Sequence, residues 1–149
     1  MITAKQVQHV GISVKDIDRS LAFYKDVFGV EPEFVTEGSG ADVSTAVGVA
    51  DAVLTFAFLR IGPTILELLE YKAPRGRPYG LENCDVGAVH VAFEVPDIQS
   101  AYDQLVAQGI EFNAPPLRIS EGPLAGCAFA YFSDPDGVQL EIFQVGTGE

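Results

Sequence analysis

The sequence predicts an α+β protein. Two tandem βαβββ modules should join into one curved, mainly antiparallel, eight-stranded cup-shaped sheet, with helices on its convex face. Three observations carry this. The chain repeats itself: His9-Val-Gly-Ile-Ser-Val-Lys-Asp-Ile is echoed by His90-Val-Ala-Phe-Glu-Val-Pro-Asp-Ile, and Ile65-Leu-Glu-Leu-Leu by Gln139-Leu-Glu-Ile-Phe. Both halves run through apolar strands and one amphipathic helix in the same order. One such half buries its sheet poorly alone, so two should pair around an open concave face.

Val7 to Val14 reads as a strand, and Asp16-Ile-Asp18 opens a helix with Asp as an able N-cap. Ile17, Leu21, Tyr24 and Phe28 fall on one helical face, and Gly29 closes the helix. Glu31 to Thr36 is a second strand, followed by a flexible loop over Glu37–Asp42. Val53 to Leu59 and Thr64 to Tyr71 form a hairpin turned at Ile61-Gly62-Pro63. The Pro- and Gly-rich segment from Lys72 connects the halves. Module one then spans about 5–71, the linker 72–87 and module two 88–146 of a single domain, 1–149. In the second half, Ala88 to Val95 is a strand. Pro96-Asp97 starts a helix carrying Ile98, Ala101, Tyr102, Leu105 and Val106, stopped by Gly109. Glu111 to Asn113 is a short strand, Ala114 to Gly126 a loop, and Cys127–Ser133 with Val138–Val145 a hairpin turned by Asp134-Pro-Asp-Gly137.

Composition narrows the function. A hydrophobic share of 48% in 149 residues indicates a folded chain rather than a disordered one. A net charge of −12 lacks the basic footprint of a nucleic-acid binder. No apolar run spans a bilayer, and the first residues do not resemble a signal peptide, so the cytoplasm is the expected location. Cys84 and Cys127 stand in no paired spacing and receive no role. Lys72, Arg75 and Arg77 read either as a solvated loop or as a clamp for an anionic part of a ligand.

His9 and His90, the only histidines, open equivalent strands, and Glu67 and Glu141 lie inside equivalent apolar strands. Strand alternation places Glu67 with Ile65 and Leu69, and turns Leu66 and Leu68 towards the helices. A carboxylate set among apolar residues is costly unless paired or coordinated. Two neutral imidazoles and two carboxylates balance a 2+ ion. Nitrogen and oxygen donors without thiolate suit Zn, Ni, Co, Mn or Fe(II), with positions left for water or substrate. One divalent transition metal on His9, Glu67, His90 and Glu141 is therefore expected, polarising a carbonyl or enolate oxygen as a Lewis acid.

At these residues, and at Ser20-Leu-Ala-Phe-Tyr-Lys-Asp-Val-Phe-Gly29, Glu67-Leu-Leu-Glu-Tyr71 and Asp134-Pro-Asp-Gly-Val-Gln-Leu-Glu141, the chain resembles the vicinal oxygen chelate superfamily. Its members include glyoxalase I, methylmalonyl-CoA epimerase, extradiol dioxygenases and the bleomycin and fosfomycin resistance proteins. The resemblance runs from His9 to about Val145 and implies the same four metal ligands. Within the superfamily it points to the epimerase-like and glyoxalase-like branches. The lack of a third His counts against dioxygenase chemistry.

The activity this implies is an isomerase or epimerase that shifts a proton at the carbon beside a carbonyl, on an acyl-CoA, keto-sugar or keto-cyclitol. A glyoxalase-like lyase acting on hemithioacetals and a protein that sequesters a natural product without catalysis are the alternatives. Glu141 is the first candidate base, because this ligand can detach in related enzymes, and Glu67 is its partner from the other half. The epimerase branch has a further Glu before the third strand, and counting back lands near Asp51. Arg75 and Arg77 would meet an anionic substrate. Phe56, Phe58, Tyr131 and Phe143 are candidates to line the cup, with Tyr131 taken as substrate-binding. The expected partners are a small-molecule substrate and a second copy in a homodimer, with neither nucleic acid nor membrane.

Overall fold

The structure, a computed structural model, describes residues 1–146. Its elements run β1 (His9–Ser13), α1 (Ile17–Phe28), β2 (Pro32–Ser39), α2 (Ala41–Val47), β3 (Val53–Ile61), β4 (Thr64–Ala73), β5 (His90–Glu94), α3 (Ile98–Ala107), β6 (Leu117–Arg118), β7 (Ala128–Ser133) and β8 (Gln139–Gln144). They divide into two compact units, Met1–Pro78 and the chain from Tyr79 onward. The strands form two four-stranded sheets, ordered β1-β4-β3-β2 and β5-β8-β7-β6. The single eight-stranded ladder expected from the sequence is thus two ladders, one per repeat. The reason is that the first strand of each repeat finds its partner in the last strand of the same repeat. That pairing is parallel, β1 with β4 and β5 with β8, while the remaining pairs are antiparallel. No helix among the described residues is long and apolar enough to cross a membrane.

In the first unit the Asp16 carboxylate accepts the Arg19 N–H at 2.9 Å, and Gly29 ends α1 at φ 67°. The helix lays Ile17 and Tyr24 on β3 and β4, over the buried Ala57, Leu59, Leu66 and Leu68. In the second unit the Asp97 carboxylate accepts the Ser100 N–H at 3.0 Å, and α3 packs Ile98 and Leu105 on β7 and β8. There Ala130, Phe132, Leu140 and Ile142 are buried. In each sheet the helix takes one face, and the strand alternation hands the opposite face to His9 and Glu67 or to His90 and Glu141.

A second contact joins each helix to its sheet. The buried Glu70 accepts the Ile17 N–H at 3.0 Å and the Lys72 ammonium at 2.7 Å. Gln144, at the same place in the repeat, accepts the Ile98 N–H at 2.9 Å. Both side chains lie three residues beyond the site glutamate of their strand, so each satisfies an N–H at the N-terminus of its helix that has no partner within the helix. Burial works against the charged form of Glu70. The hydrogen bond from Lys72 and the Ile17 N–H outweigh it and hold the carboxyl below its ordinary range.

Three stretches differ from the sequence expectation. The loop over Glu37–Asp42 is ordered: β2 continues to Ser39 by pairing with β3 as far as Val53, and α2 begins at Ala41. The strand expected at Glu111–Asn113 is reduced to a single bridge between Phe112 and Phe132. The pairing expected there is supplied by β6, inside the stretch read as loop, where Leu117 and Arg118 join Phe129 and Ala128. In each case cross-strand partners override local composition. Asp51, between α2 and β3, is exposed and takes φ 53°, in the left-handed region that Asp tolerates better than bulky residues.

Glu70→Ala should cost roughly 2 kcal/mol in denaturant unfolding. Glu70→Gln should cost less, since Gln144 performs the same task for α3. Because the folded-state pKa of Glu70 is depressed, its ionic contribution is present above the unfolded-state value and is lost as pH falls through the folded one. Melting midpoints followed into acid should therefore fall more steeply for the wild type than for Glu70→Gln. At position 51, Asp51→Val should destabilise by about 1–2 kcal/mol and Asp51→Gly should be near neutral, read from thermal melts.

Candidate functional site

The parallel register sets His9 opposite Ile65 and Gly11 opposite Glu67, so His9 and Glu67 are diagonal neighbours on one face. His9 Nε2 lies 3.3 Å from Glu67 Oε2. A Cβ on Gly11 would stand 3.5 Å from that oxygen, so the small residue leaves the carboxylate room to lean towards the histidine. The other ring nitrogen, Nδ1, is hydrogen-bonded to the side-chain oxygen of Gln8. A proton on Nδ1 leaves the Nε2 lone pair free for an acceptor or ligand role. Phe58, the β3 partner of Glu67, lies with its ring centroid 5.9 Å from that of His9 and tilted by 30°, and Phe34 and Phe56 extend this aromatic surface.

The second unit repeats the arrangement. His90 pairs with Gln139 and Ala92 with Glu141, and His90 Nε2 lies 3.2 Å from Glu141 Oε2. The position of Gly11 is again small, as Ala92. Tyr131 occupies the place of Phe58 as the cross-strand partner of the glutamate, and its hydroxyl is 3.3 Å from His90 Nε2. Burial first, then the charge of Glu141 and a hydrogen bond to it, push the Tyr131 phenol above its ordinary value. It therefore stands as a neutral donor beside a carboxylate.

The chemistry of each pair fits a divalent cation. The Glu67 and Glu141 side chains are only 16% and 7% exposed, yet each directs an oxygen at an imidazole nitrogen. A buried carboxylate facing an imidazole is well satisfied by a cation that both can ligate. Among the described residues no group of three or more His, Cys, Asp or Glu side chains gathers as a metal cluster. The structure thus brings the four candidate ligands together as two pairs, one in each unit.

The other candidates fall elsewhere. Asp51 sits in its turn before β3. Lys72 and Arg75 are drawn to Glu70, at 2.7 and 3.9 Å, on the helix side of β4, the face opposite Glu67. Arg77 is exposed in the segment after β4. Phe56 and Phe58 lie on the site face of the first sheet, Tyr131 and Phe143 on that of the second. Sequence reading missed Gln8 and the residues around Gln139. The one available signal for Gln139 was its alternation with Glu141, which puts both on the same face.

The family model of the glyoxalase/bleomycin resistance protein/dioxygenase superfamily matches residues 6–142. A 2-epi-5-epi-valiolone epimerase from an Actinomyces species is 37% identical over 150 residues, covering 97% of this chain and 82% of its own length. Human mitochondrial methylmalonyl-CoA epimerase is 28% identical over 144 residues, covering 93% of this chain and 73% of its own. A glyoxalase family protein of known structure from Bacillus cereus superposes with a TM-score of 0.76 at 17% identity, covering 97% of this chain and 96% of that one, and shares its fold. Matched across nearly its whole length and similar to two epimerases, the chain belongs to the glyoxalase/bleomycin resistance protein/dioxygenase superfamily and is one of its enzymes.

Proposed function

We propose that the protein is a divalent-metal-dependent epimerase acting at the carbon beside the ketone of a small, uncharged, polyhydroxylated substrate, a keto-cyclitol or keto-sugar. The observation that carries this reading is the recurrence of one His–Glu pair at the same strand register in both repeats. His9, Glu67, His90 and Glu141 would hold the cation, which supplies a Lewis acid for the ketone oxygen when bound.

The rest of the chemistry falls to the chain. Epimerisation breaks a C–H bond, leaves its electron pair in an enolate, and returns a proton to the opposite face of the same carbon. Two carboxylates suit the two transfers. Glu141 removes or returns one proton and Glu67 the other. Tyr131 orients Glu141 through its hydroxyl and offers a neutral donor to a substrate oxygen. The relative named for 2-epi-5-epi-valiolone supports the cyclitol class. So does the placement of Lys72 and Arg75, which are engaged by Glu70 on the helix face and are poorly placed to meet a phosphate or carboxylate of a substrate at Glu67.

Mass spectrometry of the purified protein should find about one divalent transition metal per chain, and Glu67→Ala with Glu141→Ala should lose it. A wild type that takes up no metal even after reconstitution would overturn the metalloenzyme reading. Glu141→Gln should abolish solvent deuterium incorporation into 2-epi-5-epi-valiolone as followed by proton NMR, and retained incorporation would reject Glu141 as a base.

A further inference from the structure

The two site faces are furnished differently. Around His9 and Glu67 the neighbours are Phe34, Phe56, Phe58 and Ile65. Around His90 and Glu141 the place of Ile65 is taken by Gln139, the register partner of His90. Gln139 is the hub of a set of neutral polar side chains. Its Oε1 accepts from Asn113 Nδ2 at 3.2 Å and from Asn83 Nδ2 at 3.4 Å, and its Nε2 donates to Ser133 Oγ at 2.7 Å.

Anchoring of the loops does not account for this set. The Asn113 segment is already fastened through its backbone, whose N–H donates to the Tyr131 carbonyl at 2.9 Å. The Asn83 segment closes on itself, with the Glu82 N–H on the Asp85 carboxylate at 2.8 Å and the Asp85 N–H on the Glu82 carbonyl at 3.0 Å. Asn83 and Asn113 are exposed, and among the described residues neither side-chain oxygen accepts a hydrogen bond. Each amide therefore keeps an acceptor and a second N–H donor available. A carboxamide presents these two functions side by side, the complement of a pair of adjacent hydroxyl groups. The set contains no charged side chain, so it matches an alcohol better than a phosphate or carboxylate.

We propose that Gln139, Asn113 and Asn83 form a hydroxyl-binding subsite beside His90, which selects substrates carrying adjacent hydroxyl groups near the ketone. This rests on the epimerase reading above and adds the residues that set its specificity. They are specificity-determining residues, apart from the proton transfers and from the cation.

The test uses the full-length, ¹⁵N-labelled protein titrated with 2-epi-5-epi-valiolone, and in parallel with cyclohexanone, which has the ketone without the hydroxyls. Metal uptake is measured separately. 2-epi-5-epi-valiolone should shift the side-chain amide resonances of Asn83, Asn113 and Gln139, whereas cyclohexanone should leave them in place. Gln139→Leu should weaken binding of 2-epi-5-epi-valiolone roughly tenfold, the loss of one to two hydrogen bonds, raising KM with little change in kcat. Asn113→Ala, a surface change, provides a second variant should Gln139→Leu disturb the sheet. Metal content should be unchanged in both. Amide resonances that do not respond to 2-epi-5-epi-valiolone, or a KM unchanged in both variants, would overturn the subsite whatever the metal result. Shifted amide resonances in a protein that takes up no metal would uphold the subsite and overturn the epimerase reading.

Discussion

Everything proposed for this protein depends on a parallel pairing between the first and last strands of each repeat. A parallel ladder keeps His and Glu on one face only when they are separated by an even offset, and here the offset is two residues, from Ile65 to Glu67 and from Gln139 to Glu141. A one-residue slip would turn each glutamate into the helix-packed core. The apolar residues on either side of Glu67 and Glu141 guard against that slip, because their burial fixes which face is inside. Packing of the helix face and chemistry of the site face are thus enforced by one register.

The helices are held by the same strands. Glu70 and Gln144 follow the site glutamates by three residues and reach the opposite face, where they bond the first N–H of α1 and α3. Each last strand therefore carries a site residue on one side and a helix anchor on the other. The duplicated scaffold keeps its geometry in both repeats while the site faces differ. Phe58 answers to Tyr131 and Ile65 to Gln139, so at these two positions one repeat presents apolar side chains where the other presents a phenol and an amide.

Much of this is legible in the sequence because it depends on local periodicity. The echo of His9 in His90 and of Glu67 in Glu141 marks the repeat, and period-two alternation by itself separates Glu67 from Leu66 and Leu68. Asp16, Gly29 and Asp97 mark helix ends through cap chemistry that acts within a few residues. What is not legible depends on distant partners. The extension of β2 through Gly38 and Ser39 needs β3, and the bridge at Phe112 needs Phe132. The partition into two ladders needs the knowledge that β1 closes on β4. The roles of Gln8 and Gln139 consist of contacts between side chains, and composition carries no signal of them.

The first-to-last pairing also sets when the site exists. His9 emerges from synthesis near the start of its repeat and meets Glu67 only after α1, β2, α2 and β3 have been laid down between them; His90 waits for Glu141 in the same way. Such long-range closures are slow steps, since the loop entropy is lost before the ladder compensates it. A nascent or partly unfolded repeat thus holds a lone imidazole and no His–Glu pair. Assembly of the pair coincides with completion of the sheet. Whatever ligand the finished pairs take stabilises the completed sheet alone, so binding at the site faces is linked to the end of folding.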